Sequence, residues 1–354
     1  RTLSRRGWRR INSPVTYPAV SAYPHLNLPC VAVRSSLNKP FLSMKNIILS
    51  TLAFAGLAFH AAAEGLNIKQ VPASAQWVIH MDFDGFKTSE LGKFAMKQMD
   101  EHAGAIDALS AMLKFDPRMD LADVTAFGHV VALQPDENGV VLIRGKFDQE
   151  HLLTLFKSNK TFKTEKSGKN KLHSWRDEDS GERVYGSFVS ENLLVMGKTK
   201  EDVSLGLSTL GGKTKTLKGK ELKELKLDPN AYFIMGMASL EGLPIPPQAK
   251  MLENVKKIGI TMGEKDKNFE TNIHLYTAND EFAVQIQQMM QGLLAIVQLQ
   301  AGNTDNSMAK EAAKFLKDVK ISQEKQLVRM SMAIPVATIL EEANKQLKDG
   351  KIDF

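Results

Sequence analysis

The residues of this chain with the clearest capacity for chemistry are His80, Asp82 and Asp84, spaced two apart in the run AQWVIHMDFDGF. Alternate residues of a strand point to one side, so an extended backbone sets an imidazole and two carboxylates about 7 Å apart along one face. Two of them could share a zinc or calcium ion. Neither ion is held well by three residues of one strand, so the site needs a further ligand from another segment. His173 and the acids near Asp177 are the available groups. With that ligand in place, metal-activated water would make the chain a hydrolase. The plainer reading is the polar side of an amphipathic strand whose turn begins at Asp84 and Gly85.

Other chemical motifs are incomplete. The run GLSTLGGKT from Gly206 to Thr214 comes within one residue of a phosphate-binding loop. A helix ends at these glycines instead of starting there, so carbonyl oxygens, not amide N–H groups, would face a phosphate. Ser208 follows Gly206 at the elbow spacing, but Leu210 stands where the second glycine belongs and the run lies inside a helix; Ser322 with Lys325 has the serine–lysine spacing but falls in a strand and turn. Asp177, Asp179 and Glu182 read as a solvated hairpin turn, their glycine being misplaced for a calcium loop. No catalytic constellation emerges, and the chain is expected to be non-enzymatic, with no cofactor.

The segment from Met44 to Ala63, MKNIILSTLAFAGLAFHAAA, has the form of a secretory signal: a basic start at Lys45, an apolar run from Ile47 to Phe59, and a small-residue cleavage site at Ala61–Ala63. The run is short of the roughly 20 residues a membrane span requires. Residues 1–43 carry six Arg and one Lys with no acid, and read as an upstream leader from a misplaced start, ahead of a signal at 44–63. Without these segments the excess of basic residues disappears: 38 basic residues stand against 40 acidic ones from Glu64 onward. The positive charge of the whole chain is therefore no argument for nucleic acid or anionic lipid. The one cysteine, Cys30, falls in the same leader, so the mature chain has no disulfide, thiolate or lipid-accepting cysteine. A protein of the bacterial periplasm or medium is expected, soluble, with no transmembrane segment after signal cleavage.

The elements that would position such residues follow from periodicity. Trp77, Ile79, Met81 and Phe83 alternate with polar neighbours, predicting a strand over 75–83. Ser89 opens a helical pattern running to Leu113. Strands are expected at 124–133, 140–146, 172–175, 183–189 and 193–197, with helices capped by Asp148 and Thr199. The second half repeats this grammar: strands at 230–238, 255–263 and 269–276, a long helix over 280–301, a helix to Asp318, strands at 319–323 and 327–333, and a final helix from Val336. Short hairpin turns imply antiparallel sheets, hence an α+β fold of two structurally related halves, each an antiparallel sheet packed with helices. The halves are expected at 64–212 and 230–354, joined by a Lys-rich linker at 213–229.

The runs VPASAQWVIHMDFDGF, GVVLIRGKFDQEHLL and LHSWRDEDSGERVYGSFVSENLLVMG resemble a group of exported bacterial proteins of unknown function, from planctomycetes and verrucomicrobia. The resemblance spans most of residues 70–345 and rests on structural motifs. It implies export and this type of fold, and brings no activity or site residues.

The helix over 280–301 stands apart. Nine large apolar residues cover most of its circumference among six glutamines, without a charge after Glu281. Burial on several sides, as a central core helix, is the plainer reading. The sharper one is a wall formed by Met289, Met290, Leu293, Leu294 and Val297 against an apolar ligand or partner. Three functions follow: an exported envelope protein with an unknown envelope partner, a periplasmic carrier or sensor of an apolar ligand, and a metal-assisted hydrolase.

Overall fold

The computed structural model describes residues 65–101, 103–129, 139–178, 180–243, 247–302 and 316–348. The signal, the upstream leader, Asp179 and most of the helix expected to end at Asp318 lie outside the described residues. In chain order the strands are β1 (Trp77–Asp82), β2 (Leu121–Gly128), β3 (Val140–Gly145), β4 (Lys163–Ser167), β5 (Asn170–Arg176), β6 (Arg183–Ser190), β7 (Leu193–Gly197), β8 (Ile234–Ser239), β9 (Val255–Lys265), β10 (Asn268–Thr277), β11 (Lys320–Glu324) and β12 (Leu327–Pro335). The described α-helices are α1 (Phe83–Lys87), α2 (Glu90–Glu101), α3 (Gly104–Leu113), α4 (Pro117–Asp120), α5 (Gln149–Lys157), α6 (Lys200–Leu210), α7 (Lys220–Glu224), α8 (Asp280–Gly302) and α9 (Val336–Lys348).

The strands form one antiparallel sheet in the order β11-β12-β10-β9-β8-β1-β2-β3-β7-β6-β5-β4. The fold is α+β. Each half begins with a lead strand, β1 or β8, followed by a hairpin, and the last strand of a second hairpin then pairs with the first. The order β1-β2-β3-β7-β6 is thus matched by β8-β9-β10-β12-β11. The two lead strands pair with each other, Val78 opposite Met237 and His80 opposite Met235, which merges both halves into a single sheet.

Strand alternation divides the side chains between two faces. Val78, Phe127, Val140, Leu142, Val195 and Met235 form a core with Val203 and Leu207 of α6 on one face. Met81, Ile234 and Phe269 form a second core with Leu91 and Ala95 of α2 and Val336 of α9 on the other. Phe269 and Leu275 have the same parity on β10, so the third core, where Leu275 meets Ala283 and Ile286 of α8, lies on this second face as well. The helices that close the two halves, α6 and α9, therefore cover opposite faces.

The sheets expected for the two halves are joined into one, and the structure departs from the sequence expectations in other places as well. The helical pattern from Ser89 to Leu113 is broken into α2 and α3, with the second beginning at Gly104. β4 is an additional edge strand whose sequence, KTEKS, has no apolar alternation to reveal it. The Lys-rich segment is no free tether: it contains α7, and its Leu217, Leu222, Leu225 and Leu227 are buried in the first core. Space for two of these leucines exists because residue 259 is glycine. A Cβ there would stand 3.0 Å from one methyl group of Leu227 and 3.4 Å from a methyl group of Leu225.

Candidate functional site

The strand carrying His80 and Asp82 ends at Asp82 and not beyond Phe83. Asp82 is the N-cap of α1, where its Oδ1 accepts the Gly85 amide at 2.8 Å. A Cβ on residue 85 would lie 2.1 Å from the Asp82 carboxylate, so glycine is what lets the cap form. Asp84 consequently sits in a helical turn with an exposed side chain, paired to Lys87 at 2.7 Å. The expected row of His80, Asp82 and Asp84 on one strand face is corrected here: the short cap-to-glycine spacing favours helix over extension.

His80 and Asp82 do share a face, but both are 2% exposed and occupied. The His80 Nδ1 is 2.9 Å from the Thr125 hydroxyl. Asp82 lies directly opposite Asp123, which is buried and receives the Arg144 Nε at 2.7 Å. Arg144 also donates to Gln70 Oε1 at 3.3 Å. The further ligand does not arrive. His173 lies on β5, with four strands between it and β1, about 24 Å away at the usual spacing between strands. Its Nδ1 is 2.9 Å from the Thr164 hydroxyl, its ring stacks on Phe162, and burial, followed by the charges of Lys171 and Lys157, holds its pKa below the ordinary value. Among the described residues no group of three or more His, Cys, Asp or Glu could hold a metal ion.

A second polar patch lies on the same face in the other half, which periodicity did not single out. The Tyr232 hydroxyl donates to Glu270 Oε2 at 3.2 Å and accepts from Asn272 Nδ2 at 3.3 Å. Burial, then the Glu270 charge, raises the Tyr232 pKa. Next to this patch His274 is 4% exposed, directly opposite Arg329 on β12, and its Nδ1 has no hydrogen-bond partner. Tyr232 packs against Gly263, and His274 lies opposite Gly259.

The accessible feature is α8. Asn279 caps it, with Oδ1 accepting the Phe282 amide at 2.9 Å. Ala283 and Ile286 are buried against β9, β10 and β12, and Met289 and Met290 pack beside them half-buried. Beyond Gly292 the helix turns apolar side chains outward. Leu293, Ile296, Val297 and Leu299 are 49%, 52%, 44% and 70% exposed, while Leu294 is half-buried. Burial on several sides is thereby corrected: the sheet covers one side of α8 only, and its apolar residues outnumber the positions that side offers. Of the five expected contact residues, Leu293 and Val297 lie on the open surface, Met289 and Met290 belong to the core margin, and Leu294 lies between. Ile296 and Leu299 complete the exposed surface; their spacing from Leu293, three and six residues, could have identified them. Among the described residues no helix is long and apolar enough to cross a membrane.

No family model matches the chain, and no curated protein does. Among solved structures it is similar to three crystal forms of TP0453. Form III is 9% identical with a TM-score of 0.45, covering 77% of this chain and 95% of that one. Form I is 10% identical with a TM-score of 0.42, covering 77% and 94%. Form IV is 8% identical with a TM-score of 0.45, covering 79% and 96%. At these values the likeness carries no argument about function.

Proposed function

We propose that this chain is an exported, non-enzymatic protein of the bacterial envelope that binds an apolar ligand on the outward side of α8. The observation that carries the reading is the exposure of Leu293, Ile296, Val297 and Leu299 on a helix without a charged residue from Phe282 to Gly302. Apolar surface left in water forgoes about 25 cal/mol for each Å² that burial would remove, and a contiguous patch of this kind marks an interaction site more often than a stability feature. The binding mode is contact along an open surface and not enclosure. The signal-like segment at 44–63 supports export, and the incomplete motifs support a role without catalysis.

Two results are expected. N-terminal sequencing of native protein gives a start near Glu64 in the periplasm or medium; cytoplasmic protein that retains residues 1–43 would overturn the export reading. Leu293→Ser combined with Ile296→Ser changes folding stability by no more than about 0.5 kcal/mol per site, since both side chains are exposed. The same change abolishes binding of a fluorescent fatty acid. Retained binding with unchanged stability would remove α8 from the function.

A further inference from the structure

Beyond α8, at the opposite end of the sheet, a recess of about 440 Å³ opens between the β5–β6 hairpin and the start of α6. We infer that this recess binds a multivalent oxyanion: the phosphoryl or pyrophosphoryl group of a small solute or of a lipid headgroup. Its volume falls in the range of small-ligand sites, roughly 300–1,000 Å³. Its lining includes Arg176, Arg183, Lys198, Lys200, Tyr185 and Glu182.

The register explains why the arginines converge. Arg176 and Arg183 are direct cross-strand partners, and the next pair on the same face is Ser174 with Tyr185. Tyr185 in turn lies opposite Gly197, which brings Lys198 and Lys200 to the rim as the chain leaves β7 for α6. Two like charges placed directly opposite in an antiparallel ladder repel. Each guanidinium is held by a neutral acceptor instead: Arg176 Nη1 donates to the Gly181 carbonyl at 2.8 Å and Arg183 Nη1 to the Ser174 hydroxyl at 2.9 Å. These bonds orient the guanidinium groups without neutralising them. Two nearby carboxylates are paired with the lysines, Glu182 with Lys198 at 3.0 Å and Glu165 with Lys200, while Glu201 also lines the recess. Among the described residues neither arginine has an ion-pair partner.

The amide N–H groups at the start of α6 are not the attraction. Thr199 already caps the Asp202 amide, and Glu201 and Asp202 occupy the first turn. The attraction is the pair of planar guanidinium forks, whose geometry matches the paired oxygens of a phosphoryl group. A ligand bearing such a group would relieve the repulsion between Arg176 and Arg183, and the Tyr185 ring offers an apolar surface to whatever the group is attached to.

The test is calorimetric titration of the purified full chain with inorganic pyrophosphate, and in parallel co-sedimentation with phosphatidylcholine vesicles with and without phosphatidic acid. Saturable one-to-one binding of pyrophosphate identifies a solute site; sedimentation only with phosphatidic acid identifies a headgroup site. In either arm Arg183→Gln and Arg176→Gln are expected to weaken binding at least tenfold, and Arg183→Lys, which keeps charge and loses the fork, to weaken it by less. Both arginines lie on a surface hairpin, so matching melting curves for variant and parent show that the loss is local. The distant exposed Lys97→Gln leaves binding unchanged. Absence of saturable binding in both arms, full retention in the arginine variants, or an equal loss in the Lys97 control overturns the inference. The α8 reading is tested separately, by the loss of fatty-acid binding in the Leu293 and Ile296 variants, and sedimentation with phosphatidylcholine alone would report on α8 and not on this recess.

Discussion

Phe127→Ala is expected to destabilise the protein by about 3–5 kcal/mol, read as a lower urea midpoint with an unchanged slope. Phe127 is fully buried on β2, directly opposite Val78 on one side and Val140 on the other, in the core closed by Val203 and Leu207. The neighbouring strands β1 and β3 and helix α6 fix the walls around it, so the space left by the ring cannot collapse, and the cavity cost adds to the lost burial. A loss below about 1 kcal/mol would mean that α6 moves in to fill the gap, and that this face is less rigid than its packing suggests.

Lowering the pH from 7 to 4 is expected to cost about 3 kcal/mol of stability through His274. Burial first, and then the Arg329 charge, holds its pKa down to about 4 against an ordinary 6.5, opposed by its hydrogen bond to the Leu225 carbonyl. Above pH 6.5 the imidazole is neutral whether the chain is folded or not, and this stability is fully present. Between 6.5 and 4 the unfolded chain takes a proton that the folded chain refuses, so stability falls, levelling off below 4. His173, also held below its ordinary value, acts in the same direction. The depressed carboxyls of Asp116, Asp148 and Glu224 contribute only further down, as pH falls through their own range. Urea titrations at pH 7.5, 6 and 5 isolate the histidine window. His274→Gln, which keeps a donor for Leu225, is expected to flatten most of the slope; an equal slope in the variant would place the effect elsewhere.

Much of the fold was legible because its elements carry their own signals. The alternation around Trp77, the Asp148 and Thr199 caps and the hairpin between β9 and β10 are local features, and local physics gave them their ends. What was not legible depends on partners distant in sequence. Burial of Leu225 and Leu227 beside a run of lysines requires knowing that Gly259 lies under them. The strand character of β4 comes from pairing with β5, and its own residues are all polar. The candidate site divides in the same way. The apolar residues of α8 were readable, but which of them face the sheet was not, because they cover more of the helix than one sheet face can take. Asp84 lies in a helical turn and not on the strand, because the Asp82 cap and Gly85 outweigh the alternation that precedes them. Arg176 and Arg183 escaped notice because their opposition exists only in the register of β5 with β6.

The pairing of β1 with β8 also sets an order of assembly. Val78 and Met237 are neighbours in the sheet although about 160 residues separate them, so among the described strand pairings their ladder closes the longest loop and cannot form until most of the chain is available. As a chain emerges from its N-terminus, β1 can pair with β2 almost at once, leaving its other edge with unpaired N–H and C=O groups through the emergence of some 150 residues. For that interval the centre of the finished sheet is an open template, able to accept a strand from a neighbouring molecule as readily as its own β8. On the export reading proposed above, which would deliver the chain unfolded, that vacancy would matter most.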